Sequence, residues 1–121
     1  MEKMVVDNFN KTFKNKNILI TGHTGFKGSW MSLWLNSLGA NVTGLSLNPI
    51  KKFSHWENIK SKNINSIIGD IKNYEFVSKV VSKSKPEIIF HLAAQPLVRK
   101  SYDFPIETWE TNVMGTANLL E

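Results

Sequence analysis

Residues 17–30 read NILITGHTGFKGSW. The first five, Asn17 to Thr21, are a short run of β-branched and apolar side chains that stops at Gly22. This pattern predicts a strand buried on both faces. From Phe26 to Leu38 the spacing becomes helical. Phe26, Trp30, Met31, Leu33, Trp34, Leu35 and Leu38 form a broad apolar stripe that is expected to face the core. Gly39 is placed to end this helix as its C′ residue. Between strand and helix lie Gly22, Gly25 and Gly28, a G-x-x-G-x-x-G spacing.

Each glycine has a separate task in such a junction. Gly22 permits the tight turn out of the strand, Gly25 removes the side chain where backbone would approach a pyrophosphate, and Gly28 lets the helix pack closely on the sheet. The N–H groups of Phe26 and Lys27 have no intrahelical acceptor and sit at the positive end of the helix dipole, which suits phosphate oxygens. Glycine spacing alone is weak evidence, but between a buried strand and an amphipathic helix it is specific for a dinucleotide turn. Lys27 can add a positive charge near the phosphates or point into solvent. His23 reads more readily as a hydrogen-bonding loop residue than as a ligand of nucleotide or substrate.

Outward from this junction the chain alternates. Residues 1–16 lack a steady period and read as a tail or a short leading helix. Asn41 to Leu45 is a weaker second strand. Residues 46–63, with Pro49, Phe53 and Trp56, read as a long loop holding at most one helical turn. Ile64 to Ile68 is a third strand, ended by Gly69-Asp70. Tyr74 to Ser84 is a helix burying Phe76, Val77, Val80 and Val81, with Asn73 as its N-cap, and Pro86 stops its continuation. Glu87 to His91 is a fourth buried strand. A last helix starts near Pro105, a good N1 residue, and is expected to carry Ile106, Trp109, Val113 and Leu120 inward. The resulting class is α/β: the N-terminal half of a Rossmann-type doubly wound parallel sheet, with four strands in the order 3-2-1-4 and the C-terminal half absent. The domain reading is a tail over 1–16 and a partial dinucleotide-binding domain over 17–121.

Ligands bind such sheets at the C-terminal ends of the strands. Asp70 follows strand three at that edge, where it can accept a hydrogen bond from an adenine amino group or simply start a turn. Strand two often ends in an acid that holds the ribose hydroxyls. Here the stretch is Leu45-Ser46-Leu47-Asn48, in which Ser46 offers one weaker acceptor, and the absence of an Arg counts mildly against a 2′-phosphate. His91-Leu92-Ala93-Ala94-Gln95 leaves strand four at the same edge, and its alanines would let a cofactor lie against the backbone. His91 itself reads as a satisfied core histidine. Trp30, Trp34 and Trp109 fall on expected core faces, so packing explains them better than base stacking does.

Composition agrees with a globular chain. Of 121 residues, 41% are hydrophobic and 21% charged, so wholesale disorder is excluded. No apolar run approaches a membrane span, and the first residues lack the features of a secretory signal. A cytoplasmic protein is the expectation. There is no cysteine, which removes disulfides, thiolate chemistry and Cys-based zinc sites; no metal site is expected. The net charge is +5, with 14 of 15 basic residues Lys and scattered along the chain. Charge alone would allow a nucleic-acid partner. An AT-rich coding composition explains the abundant Lys and Asn without one.

Three segments carry a family resemblance. TGHTGFKGSW (Thr21 to Trp30), HLAAQPLVRKSY (His91 to Tyr102) and TNVMGTANLLE (Thr111 to Glu121) resemble the N-terminal part of the CDP-glucose 4,6-dehydratases. These belong to the extended short-chain dehydrogenase/reductase superfamily of nucleotide-sugar epimerases and dehydratases. The GxxGxxG and HLAA elements are shared across that superfamily, whereas GHTGFKGSW and AAQPLVR are more specific. The resemblance covers residues 17–121. It implies NAD contacts from Gly22, Gly25, Phe26, Lys27 and Gly28, and adenine contacts from Asp70 and Ile71. It further implies that Leu92, Ala93, Ala94 and Gln95 lie along the phosphates and ribose, that Thr111 contacts the cofactor region, and that Asn112 supports the site. In that family a hydride moves from C4 of the glucose ring to NAD and back to C6, with loss of water across C5 and C6. The product is a precursor of dideoxyhexoses in bacterial lipopolysaccharide O-antigens. A homo-oligomer is implied for the full-length enzyme, with neither nucleic acid nor membrane as a partner.

The family also needs a Tyr-x-x-x-Lys pair, whose Lys lowers the Tyr pKa so that it can act as a base. Ser78 stands four residues after Tyr74 and Ile106 four after Tyr102, so this chain has no such pair and no catalytic residue is expected in it. The expectation is therefore the NAD-binding segment of a CDP-glucose 4,6-dehydratase, a lyase, with the chain alone inactive. Two alternatives remain: another nucleotide-sugar epimerase or dehydratase, and a non-catalytic nucleotide-binding fragment.

Overall fold

A computed structural model describes residues 2–49, 54–60 and 63–121. Four strands form one parallel sheet: β1 (Asn17–Thr21), β2 (Asn41–Ser46), β3 (Asn65–Ile68) and β4 (Ile88–His91), in the order β3-β2-β1-β4. The central strand aligns Thr21 with Leu45 on one side and with His91 on the other, so the C-terminal ends of β1, β2 and β4 lie level. The helices are α1 (Glu2–Phe13), α2 (Phe26–Ser37), α3 (His55–Ile59), α4 (Tyr74–Ser84), α5 (Val98–Asp103), α6 (Pro105–Trp109) and α7 (Gly115–Leu120), with a π-helical turn over Glu110–Met114. The architecture is the α/β half-sheet that the sequence predicts.

Alternation along β1 divides the core into two layers. Ile18 and Ile20 join Val42, Leu35, Trp56 and Ile59 on one face, while Leu19 joins Leu45, Ile71, Val77 and Val80 on the other. Each such fully buried aliphatic side chain stabilises the fold by about 1.5–3 kcal/mol. Helix α4 has the expected bounds. The Asn73 side chain accepts the Phe76 N–H at 3.1 Å, and the helix ends on Lys85 in the left-handed region, before Pro86. Its inward face is narrower than expected, with Val77 and Val80 buried and Phe76 and Val81 only partly so. The third and fourth strands each begin one residue later than expected. Glu87, just before β4, accepts the Asn17 N–H at 3.0 Å and pairs with Lys16, which ties the starts of β1 and β4 together.

Of the two readings of the leading residues, a tail or a short helix, the described residues show the helix α1, which ends with Phe13 packed on the core, and Asn15 N–H donates to the Gly39 carbonyl. Two expectations need correction. The apolar stripe of α2 does not all face inward: Phe26, Trp30 and Trp34 are exposed. The buried face is Gly28, Ser29, Ser32 and Leu35, small enough for the helix axis to come close to the sheet. The two serines are satisfied locally, Ser32 donating to the Gly28 carbonyl and Ser29 to that of Phe26. Lastly, Ile106, Trp109, Val113 and Leu120 do not point inward; all four are exposed. The helix starts at Pro105 as expected and runs on through α6, a π-turn and α7, and the extra residue of the π-turn rotates the helix face that follows it. Gly115 and Leu119 approach the core instead, with Ile71 against Gly115. The loop reading of 46–63 lies partly outside the described residues. Within them α3 is the one helical turn, and Trp56 is buried on it.

Candidate nucleotide-binding site

The site is built at the end of β1. Gly22 has φ +79° and its N–H donates to the Leu45 carbonyl at 2.8 Å, so the chain turns sharply while still held to β2. A Cβ on Gly22 would stand 2.9 Å from the Ala93 nitrogen, which puts this turn directly against the loop leaving β4. Gly28 packs the first turn of α2 onto the turn backbone, where a Cβ would be 2.0 Å from the Gly22 oxygen. The close approach is therefore to the turn itself rather than to the sheet. Gly25 differs from both. It is exposed, and beyond its chain neighbours a Cβ there would meet only the Gly22 oxygen, at 3.3 Å. Open space thus lies above the start of α2, where the Phe26 and Lys27 N–H groups have no preceding helical turn to accept them. Both side chains are exposed. These residues fit a dinucleotide pyrophosphate: an exposed turn without a side chain at Gly25, N–H donors without a helical acceptor and a dipole of the right sign.

His23 does not enter this space. It is fully buried beneath the turn, its Nε2 2.7 Å from the Ser66 hydroxyl and its ring edge-on to Trp56. Burial pushes its pKa down to about 4 against a weaker opposing pull from the Leu45 backbone, so it is a neutral structural residue near pH 7. Thr24 donates to the Leu47 carbonyl at 2.9 Å and therefore accepts from Ser46, 2.8 Å away. The Ser46 hydroxyl hydrogen is used in this way, and its lone pairs remain as the acceptor at the end of β2.

Asp70 lies past the end of β3. One carboxylate oxygen accepts the Lys72 N–H at 2.9 Å and the other pairs with the Lys72 ammonium at 3.0 Å. The aspartate thus starts a turn, with both oxygens retaining lone pairs for a further donor. The Ile71 side chain is buried, and its carbonyl accepts from Asn118. Gln95 is clamped by Asn112, which accepts the Gln95 N–H at 2.7 Å and donates to its carbonyl at 3.2 Å. Ala93 is half-buried and Leu92 and Ala94 are exposed. Thr111 lies on the π-turn, half-buried and beside Asn112. The structure thus brings the Gly22 turn and the Leu92–Gln95 loop into contact, while Asp70 and Ile71 occupy the end of β3, two strands from β1.

Sequence reasoning missed Thr21 and Thr116. His91 Nδ1 is 2.6 Å from the Thr21 hydroxyl, and His91 Nε2 is 2.9 Å from that of Thr116. This makes His91 the satisfied histidine expected of it, with its pKa lowered by burial. Thr116 lies in the segment Thr111 to Glu121 that carries the family resemblance, but no periodicity singles it out, and its contact with His91 appears only when α7 meets β4 in space. Among the described residues no His/Cys/Asp/Glu group could hold a metal, and no helix is long and apolar enough to cross a membrane.

Known proteins are similar to this chain in sequence and in fold. The chain is 50% identical over 119 residues to CDP-glucose 4,6-dehydratase of Salmonella typhimurium, covering 98% of this chain and 32% of that enzyme. Its fold superposes on an epimerase of Methanothermobacter thermautotrophicus with TM-score 0.83 and 32% identity, over 97% of this chain and 34% of that one. The UDP-glucose 4-epimerase of Thermus thermophilus, solved in complex with NAD, matches with TM-score 0.74 and 30% identity, over 85% and 32% of the two chains. The chain therefore spans about a third of the length of these relatives. The sequence profile of the GDP-mannose 4,6 dehydratases matches residues 19–121, and the chain belongs to that family.

Proposed function

We propose that this chain is the NAD-binding segment of an enzyme that converts CDP-glucose to CDP-4-keto-6-deoxyglucose. The identity of 50% along nearly the whole chain to a CDP-glucose 4,6-dehydratase carries this reading. The open face at Gly25 supports the cofactor half of it. When bound, NAD supplies reversible hydride chemistry. Phe26 and Lys27 would hold its pyrophosphate through backbone donors, with Gly22, Gly25 and Gly28 shaping the turn that admits it. Asp70 and Ile71 would meet its adenine, and Leu92 to Gln95 with Thr111 the remainder. Ser46, as an acceptor at the end of β2, favours a ribose hydroxyl over a 2′-phosphate. The Tyr-x-x-x-Lys pair is absent from these 121 residues, so the chain binds and orients, and the proton-transfer groups belong to polypeptide outside it. Residues 17–121 act as one partial Rossmann domain, in a cytoplasmic enzyme that is a homo-oligomer when full length.

The test is to capture from the native host every polypeptide that contains residues 17–121, measure its intact mass, and assay it with CDP-glucose and NAD. A product of about three times this chain's 13.8 kDa that dehydrates CDP-glucose supports the reading. Epimerisation without loss of water would move the chain to the nucleotide-sugar epimerases. A 13.8 kDa product that binds NAD without turnover would make it a non-catalytic nucleotide-binding protein.

A further inference from the structure

The hydrogen bonds around His91 have only one consistent direction. The Thr116 hydroxyl donates to the Asn112 carbonyl at 2.7 Å, so toward His91 it can only accept. His91 Nε2, 2.9 Å away, must then carry the proton. In the neutral ring Nδ1 is consequently an acceptor, and it receives the Thr21 hydroxyl hydrogen at 2.6 Å. The Thr21 oxygen is left as an acceptor, and it takes the backbone N–H groups of Leu92 at 3.1 Å and Ala93 at 3.2 Å. Leu92 N–H is also shared with the Thr21 carbonyl, but the Ala93 N–H has this hydroxyl as its one acceptor among the described residues. The relay runs from the π-turn, through α7 and β4, to the tip of β1 and the loop beside Gly22. Reversing any one bond would set two hydrogens or two lone pairs against each other.

We propose that His91 is a positioning residue: held as the neutral Nε2–H tautomer, it sets the direction of a relay from Asn112 to Ala93 that fixes the Leu92–Gln95 loop against the Gly22 turn. For its effect on cofactor binding this rests on the reading of that loop as part of the nucleotide site; the relay itself does not.

The test separates the two. Nitrogen-15 spectra of the histidine side chains in the full chain at neutral pH report the His91 tautomer, and amide exchange at Ala93 reports the far end of the relay. Thr116→Val removes the acceptor three hydrogen bonds away from Ala93, and Thr116→Ser restores it. The expected result is a single Nε2–H signal in the native chain and in Thr116→Ser. In Thr116→Val the tautomers mix and Ala93 exchanges about threefold to tenfold faster, the factor for losing one net hydrogen bond. An Nδ1–H or doubly protonated His91 in the native chain would overturn the proposal. So would unchanged Ala93 exchange in a Thr116→Val chain that remains folded. If Thr116→Val does not fold, the native tautomer together with Thr21→Ser, which keeps the hydroxyl and should keep the signal, decides it. A correct relay in a chain with no affinity for NAD would overturn the nucleotide reading and leave the positioning role standing.

Discussion

A Cβ placed on Gly28 would stand 2.0 Å from the carbonyl oxygen of Gly22, so the first turn of α2 rests on the backbone of the turn that precedes it. The obstructing atoms are backbone, which cannot rotate away. Gly28→Ala is expected to destabilise the chain by at least about 2 kcal/mol, toward the upper part of the range for overpacking. Urea unfolding of the two chains measures the difference. Equal midpoints and slopes would mean that the turn can shift without cost.

Gly25 predicts the opposite division of effects. Its φ of −75° and ψ of 172° suit any residue, and its Cβ position is open apart from the Gly22 oxygen at 3.3 Å. Gly25→Val should lower the unfolding midpoint less than Gly28→Ala does, since its one close contact is 3.3 Å rather than 2.0 Å. It should weaken NAD binding by at least about tenfold, or 1.4 kcal/mol, by filling the space a pyrophosphate needs. Calorimetry on both chains tests this, and equal affinities would place the cofactor elsewhere.

His23 makes stability depend on pH. Its pKa is about 4 in the folded chain against 6.5 for the free side chain, because burial disfavours the charged ring. Between those values the unfolded chain binds more protons. The stabilisation is therefore complete above about pH 6.5 and is lost as pH falls through 4, by about 3 kcal/mol in all. Carboxylates also titrate near the lower end, so the comparison is with His23→Gln. The native chain should lose more stability than the variant between about pH 7 and pH 4.5. Parallel losses would show that His23 titrates normally.

The sheet edge predicts self-association. Among the described residues β4 pairs only with β1, and Ile106, Trp109, Val113 and Leu120 are 74%, 64%, 42% and 82% exposed. An unpaired strand edge with apolar surface nearby invites pairing with another chain. Sedimentation at tens of micromolar should detect oligomers, and Trp109→Lys should reduce them. A monodisperse monomer would contradict this.

The elements that sequence reading located well are those whose pattern has one physical cause. Asn17–Thr21 is flanked by a glycine with positive φ and is buried on both faces, and Tyr74–Ser84 carries its own cap and stop. Helix α2 was legible as a helix but not in its orientation. Hydrophobicity points to Phe26, Trp30 and Trp34, whereas the buried face is the small residues Gly28, Ser29 and Ser32, with Gly28 against the Gly22 turn. Trp30 instead stacks on His55 at 4.0 Å between ring centroids, a tertiary contact no periodicity reveals. The π-turn at Glu110–Met114 was invisible because no residue pattern marks such a turn. At the site, the glycines were readable one by one. The relay through Thr21, His91 and Thr116 joins residues up to 95 positions apart (21 to 116) and exists only once the sheet is assembled.

The central claim is that a dinucleotide lies across the start of α2 and the loop after β4. Hydrogen–deuterium exchange of the chain with and without NAD tests it most directly. Slower exchange over residues 22–28 and 92–95 is expected when NAD is present. Unchanged exchange at both segments, or protection confined to the cavity lined by Tyr74, Ser78 and Asn118 between α4 and α7, would contradict it.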